Sequence, residues 1–253
     1  MSDYDRGFPR SVPAGAADMA VDAGLRGFML GVYNKVALGL ALSAFLAYLT
    51  SSYAPVMNLL YVVQDGRLAG FTLLGTIIRF APLAILLVSA FTMRNPSPRS
   101  AGILYWAIVA TIGAGLGVWI LVYTGASVAL TFLITATAFG ALSLVGYSTK
   151  KDLTGFGSFL IVGVWGLIIA SIVNMFLHLP GVYFAINILG VLIFAGLIAY
   201  DTQRLKMTYY QLGGNQAAMG VATNYGALSL YIDFINLFQF LLMLVGGGGG
   251  NRR

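Results

Sequence analysis

The chain has 253 residues, of which 59% are hydrophobic and only 9% charged, against about 25% charged in an ordinary soluble domain. It has no cysteine and one histidine, His178, which excludes disulfides, thiol catalysis and Cys-ligated zinc and leaves no basis for a His-built metal centre. A net charge of +6 would point to nucleic acid in a soluble protein. In a chain this apolar it points instead to loops facing anionic lipid and the cytoplasm, so no nucleic-acid partner is expected.

Residues 1–26 mix both signs of charge with Pro9 and Pro13 and read as a disordered cytoplasmic tail rather than a signal peptide. Residues 27–246 read as a single transmembrane domain. Its fold class is all-α and polytopic, because spans of about 20 apolar residues recur and barrel-type alternation is absent. The first span is Phe28–Leu49, with Lys35 near its start, where a long stem reaches the interface. Residues 51–70 form a loop with an apolar patch, Val56–Val63. The second span lies within Phe71–Met93, with Arg79 at its outer end and Arg94 at its mouth, before Pro96 and Pro98 stop the helix.

The third span, Gly102–Tyr123, carries Gly113 and Gly117 at the spacing of close helix packing. The fourth, Ser127–Tyr147, has Ser127, Thr131 and Thr135 on one stripe, and hydroxyls so placed bond their own helix backbone. The fifth is Gly157–Leu177, ending near His178. The sixth, Tyr183–Asp201, and the seventh, Ala227–Val245, are separated by a polar loop, Thr202–Gly226. Residues 247–253, with their glycine run, read as a flexible tail.

Seven spans put alternate loops on alternate sides. One set (the tail, Arg94–Arg99, Lys150–Lys151, Arg204 and Lys206) holds nine Lys or Arg; the other holds three, Arg67, Arg252 and Arg253. The excess orients the N-terminus to the cytoplasm and the C-terminus outside. A re-entrant late segment would give six spans and return the C-terminus inside.

Two acids stand within this apolar frame. A carboxylate inside a membrane helix costs several kcal/mol and so faces a protein interior or a wet cavity. Asp201 lies near the end of the sixth span and Asp233 about two turns into the seventh, one shallow and one deeper on the same side. Ser229, Asp233, Asn236 and Gln239 form a polar stripe on the seventh span. Asn187, Gly190, Phe194, Leu197 and Asp201 share a face of the sixth. The stripes read as two walls of a cavity, with Asn187, Ser229 and Asn236 as pore-lining candidates.

Close carboxylates cannot both ionise cheaply, so the pair titrates as a unit. A guanidinium can offset its charge, and its oxygens suit a hard cation such as calcium. The plain alternative is that Asp201 pairs with Arg204 at an interfacial helix end.

The residues also carry a family resemblance. Gly31-Val32-Tyr33-Asn34-Lys35-Val36-Ala37-Leu38-Gly39-Leu40, Ala81-Pro82-Leu83, Gly146-Tyr147-Ser148-Thr149-Lys150-Lys151-Asp152-Leu153, Tyr200-Asp201 and Ala227-Leu228-Ser229-Leu230-Tyr231-Ile232-Asp233-Phe234-Ile235-Asn236-Leu237-Phe238 resemble the Bax-inhibitor family (the transmembrane Bax-inhibitor-motif proteins), in a bacterial member. The resemblance covers about Arg26 to Val245. It implies seven helices with the last one central, and a pH-sensitive calcium leak of the bacterial inner (plasma) membrane.

By the same resemblance, Asp201 and Asp233 are the proton-sensing pair and candidate calcium contacts. Arg94, at the end of the second helix, matches the arginine that latches the pair; Arg79 and Arg99 compete for that place. No cofactor is implied beyond calcium as permeant or bound ion, and no enzyme activity.

Acids on consecutive helices also occur in intramembrane aspartyl proteases. The second acid there follows Gly-x-Gly, whereas here it follows Leu230-Tyr231-Ile232. A third reading, an interaction protein modulating a membrane complex such as a quality-control protease, would use the tail and the Thr202–Gly226 loop.

Overall fold

The structure, a computed structural model, describes residues 14–64 and 67–246, with side chains from residue 23 onward except that of Arg67. The expected tails at 1–13 and 247–253 lie outside the described residues.

Seven helices are long and apolar enough to cross a membrane, and the fold is an all-α polytopic membrane fold. In chain order they are α1 (Ala14–Ser52), α3 (Leu73–Thr92), α4 (Pro98–Val122), α5 (Gly125–Ser148), α6 (Thr154–Leu177), α7 (Pro180–Leu212) and α8 (Gln216–Val245). A short α2 (Ala54–Leu60) and a hairpin of β1 (Tyr61–Gln64) and β2 (Arg67–Phe71) sit between α1 and α3.

Starts and stops follow local chemistry. Ser97 and Ser100 form a reciprocal capping box with Pro98 in the first turn of α4, where its missing N–H is no loss. Thr124 and Asn215 accept from Ser127 N and Ala218 N to open α5 and α8. Gly213 and Gly214, at φ +54° and +82°, end α7 in the left-handed conformation that glycine tolerates.

Three expectations are corrected here. The helix of the first span starts at Ala14, so the second half of the supposed disordered tail is helical, with Leu25 buried at its end. The segment 51–70 is not a loop but a short helix and an antiparallel hairpin, paired Tyr61↔Phe71 to Gln64↔Arg67 with a bulge at Val62/Val63. The polar loop after Asp201 is a continuation of α7 by 11 residues, Thr202 to Leu212, leaving only a tight turn before α8. α8 is one uninterrupted helix, so no late segment is re-entrant.

α8 has the largest buried share of any span, half of its most apolar window. It packs on α7, α1, α4 and α5, while α3 rests chiefly on α4 and α6 on α7. Lipid tails are as apolar as leucine, so close approach must hold such helices together. Gly113 and Gly117 of α4 meet Ser43, Ala47 and Thr50 of α1, the expected use of that spacing. Thr50 Oγ1 and Tyr61 Oη both donate to Ala114 O, at 3.1 Å each. Where α1 crosses α8, the Ser43 and Tyr231 hydroxyls are 2.6 Å apart.

A candidate di-carboxyl site between two long helices

α7 and α8 form an antiparallel helical hairpin, and the acids lie on its inner seam. Asp201 and Asp233 are 5% and 6% exposed, and their carboxyl groups come within hydrogen-bonding reach of each other. Expected at different depths, they meet at one level. Two carboxylates are acceptors only, so a bond between them needs a proton on one. Asp233 Oδ2 is buried with no hydrogen-bond partner, as is the neighbouring Thr202 Oγ1.

The cation on the pair is Arg204. It lies one turn beyond Asp201 on α7, 3.3 Å from Asp201 Oδ1. It donates to Ser229 Oγ of α8 at 3.1 Å, and its guanidinium lies 5.6 Å from the centre of the Tyr200 ring. Its charge also acts on Asp233. Arg204 therefore spans both helices, and it remains half-exposed at 46% while Asp201 is buried.

The pairing is the plain alternative given above, Asp201 with Arg204, and none of the three latch candidates touches the acids. Arg94 closes the α3–α4 turn, exposed to its surroundings, and among the described residues it forms no ion pair with either acid. Arg79 lies over the Phe71 ring at 5.1 Å, beside the β hairpin at the opposite end of α3. Arg99 is exposed in the first turn of α4. Arg204 holds Asp201 because three residues of helix bring its guanidinium over the same face. A partner on α3 would have to reach across the bundle.

Of the pore-lining candidates, Ser229 belongs to the site as the acceptor for Arg204. Asn236 donates to Ile232 O of its own helix at 2.8 Å. Asn187 is on the expected face but in a different place, 14 residues or about 21 Å up α7. It lines a cavity of about 510 Å³ with Asn174 and His178 at the far end.

Between Asn187 and Asp201 the seam is apolar. Phe240 of α8 fills the space over Gly190 and stacks on Phe194, with centroids 5.8 Å apart; Leu197 and Leu237 close in beside them. The two walls do not enclose one continuous polar channel.

Calcium takes six to eight oxygen ligands. Two carboxyls, one occupied by Arg204, and one serine hydroxyl fall short of that set. Among the described residues no group of three or more His, Cys, Asp or Glu is gathered.

The roles of two residues were not read from the sequence. Gln203 accepts from Leu153 N (2.8 Å) and donates to Lys151 O (2.7 Å). Lys206 donates to Tyr147 O at 3.1 Å. Together they bind the stretch just after Asp201 to the α5–α6 turn. Neither lies on the helical face of Asp201, at two and five residues beyond it, so the stripe that carries the acid gave no signal of them.

The comparisons agree with this architecture. A family model described as "Inhibitor of apoptosis-promoting Bax1" matches residues 25–250. A protein of Caulobacter vibrioides is 68% identical over 98% of this chain and 99% of its own length. The Rickettsia prowazekii protein RP147 is 41% identical over 97% and 98%. The inner membrane protein YbhL of Escherichia coli K12 is 40% identical over 91% of this chain and 94% of its own length. With the match covering nearly the whole transmembrane bundle, the chain belongs to the Bax inhibitor family, alongside these bacterial relatives.

Proposed function

We propose that the protein is a pH-sensitive calcium leak of the bacterial inner membrane, gated by Asp201 and Asp233 acting as one protonatable unit. What carries the reading is the meeting of two buried carboxyls from adjacent spans, one oxygen unpartnered and one guanidinium spanning both helices. One proton held between the acids makes the carboxyl–carboxyl bond and leaves a single negative charge for Arg204. Loss of that proton puts two like charges side by side, and the cheapest relief is separation of α7 from α8 or entry of a cation.

The ring stack of Phe194 and Phe240 is the barrier that such a movement must open, since it fills the seam between the acids and the far-end cavity. Arg204, rather than Arg94, is the latch in this conformation. In this reading the N-terminus is cytoplasmic, supported by Arg94 and Arg99 about the α3–α4 turn, Lys150 and Lys151 in the α5–α6 turn, and Arg204 and Lys206 in the last part of α7, all toward one end of the bundle. The inner-membrane reading rests on that bias and on the similarity to the Escherichia coli inner membrane protein YbhL.

Calcium flux into liposomes, measured across a pH series for wild type and Asp233→Asn, tests the reading. The wild type should pass calcium with a pH dependence that the variant flattens. An unchanged profile would remove the pair from gating, and absence of flux in the wild type at every pH would remove the leak.

A further inference from the structure

Away from the acids, the bundle is open between α1 and α5. These helices do not pack along each other: α1 rests on α4 and α8, and α5 on α7 and α8. A notch of about 540 Å³ lies in the gap at the basic end, lined by Arg26 and Tyr33 of α1 and by Phe139, Gly140, Ser143 and Tyr147 of α5. Tyr33 and Phe139 meet edge-on at 6.4 Å. Beyond them an apolar cavity of about 630 Å³ continues between the same helices, floored by Phe234 and Phe238 of α8.

Three features of the notch ask for an occupant. Ser143 is 6% exposed and its Oγ is buried without a hydrogen-bond partner. Thr135, Thr137 and Ser148 of the same helix each donate to the carbonyl four residues back. An unpaired buried hydroxyl is unfavourable by about 1–3 kcal/mol, so Ser143 is a donor in waiting.

Arg26 stands exposed at the mouth and, among the described residues, has no ion pair. Lys206, 5.2 Å from the centre of the Tyr147 ring, adds a second cation at the rim. Gly140 is not required by packing, since a Cβ there would meet nothing within 4 Å. A mid-helix glycine costs about 1 kcal/mol relative to alanine, and here it keeps the notch open.

We propose that this cleft binds one anionic phospholipid. Its phosphate lies on Arg26, an ester carbonyl of the glycerol accepts from the Ser143 hydroxyl, and an acyl chain runs along the apolar gap past Phe139. The depths agree. Ser143 lies five residues inside the end of α5 at Ser148, about 7.5 Å at 1.5 Å per residue. That is roughly the thickness of one interfacial layer, where ester carbonyls sit. The site is independent of the leak, although its Phe139 wall packs on Phe234, beside Asp233, at 5.5 Å.

Native mass spectrometry of the detergent-purified full chain, with phosphatidylglycerol or phosphatidylcholine added, tests the site. Wild type should retain one phosphatidylglycerol about tenfold more tightly than phosphatidylcholine, the size expected of a charge-assisted Arg–phosphate contact. Glycerol phosphate without chains should not be retained. Arg26→Gln should abolish the headgroup preference, and Gly140→Leu should weaken both lipids about tenfold with a thermal midpoint no lower than that of wild type. Equal retention of the two lipids by wild type, or undiminished retention by Gly140→Leu, would overturn the proposal.

Discussion

The α1–α4 and α7–α8 seams are both long helix–helix contacts, yet they are built to opposite ends. In the first, Gly113 and Gly117 bring backbones together, and Ser43, Thr50 and Tyr61 give their hydroxyls to neighbouring carbonyls or to Tyr231. In the second, at the level of the acids, a carboxyl oxygen is buried unpartnered, and the ion pair on Asp201 is half-exposed. A seam with satisfied polar groups has nothing to gain by opening. One with a buried unpaired group does, since it is unfavourable by about 1–3 kcal/mol, more for a charge. On the proposed reading the first seam is the frame and the second is the moving part.

The contrast is broken most strongly at Gly113. A Cβ there would lie 2.7 Å from the Ser43 backbone, so Gly113→Leu forces the helices apart. It should lower stability by about 3 kcal/mol, seen as a drop in the thermal midpoint in detergent. Gly140→Leu, the same change at an open position, should not lower the midpoint.

A smaller effect belongs to Tyr231→Phe, which removes the hydroxyl at 2.6 Å from Ser43. Single polar contacts between membrane helices average about 0.6 kcal/mol, so the midpoint should fall slightly and the flux profile should stay the same. A flattened pH profile in this variant would show that the frame also gates.

The smallest effect lies outside the membrane, at the start of α6. Asp152 Oδ1 accepts from Thr154 N at 2.8 Å, and bonds from Thr154 hold its carboxyl below the ordinary value of 3.8. A depressed carboxyl contributes stability above its unfolded pKa and loses it as pH falls through the folded value. Wild type should therefore exceed Asp152→Ala slightly in thermal midpoint at neutral pH, and the gap should close on acidification below 3.8.

Hydropathy alone made the seven spans legible, because a stretch of about 20 apolar residues has few other uses. The helix-packing glycines were legible too, from their spacing. The β hairpin was missed although Tyr61-Val62-Val63 runs into Asp65-Gly66, a strong hairpin signal. Its apolar residues read equally well as a surface patch.

The end of α7 was misplaced because Gln203, Arg204 and Lys206 look like loop residues until their partners in the α5–α6 turn and on Ser229 are known. The acids themselves were visible as charges where charge is expensive. Which arginine served them was not, since an i,i+3 neighbour and a distant helix end are both compatible with one sequence. Asn187 shares a helical face with Asp201, but the Phe240 ring that separates them comes from α8, and spacing along one helix cannot show it.

The central claim is that Asp201 and Asp233 act as one titrating unit. The measurement that addresses it most directly is calcium flux against pH for wild type, Asp201→Asn, Asp233→Asn and the double variant in the same liposomes. A shared proton predicts non-additivity: either single substitution abolishes the pH dependence, and the second changes nothing more. Two single variants that each keep part of the dependence, summing to the loss in the double, would show two independent acids and contradict the account.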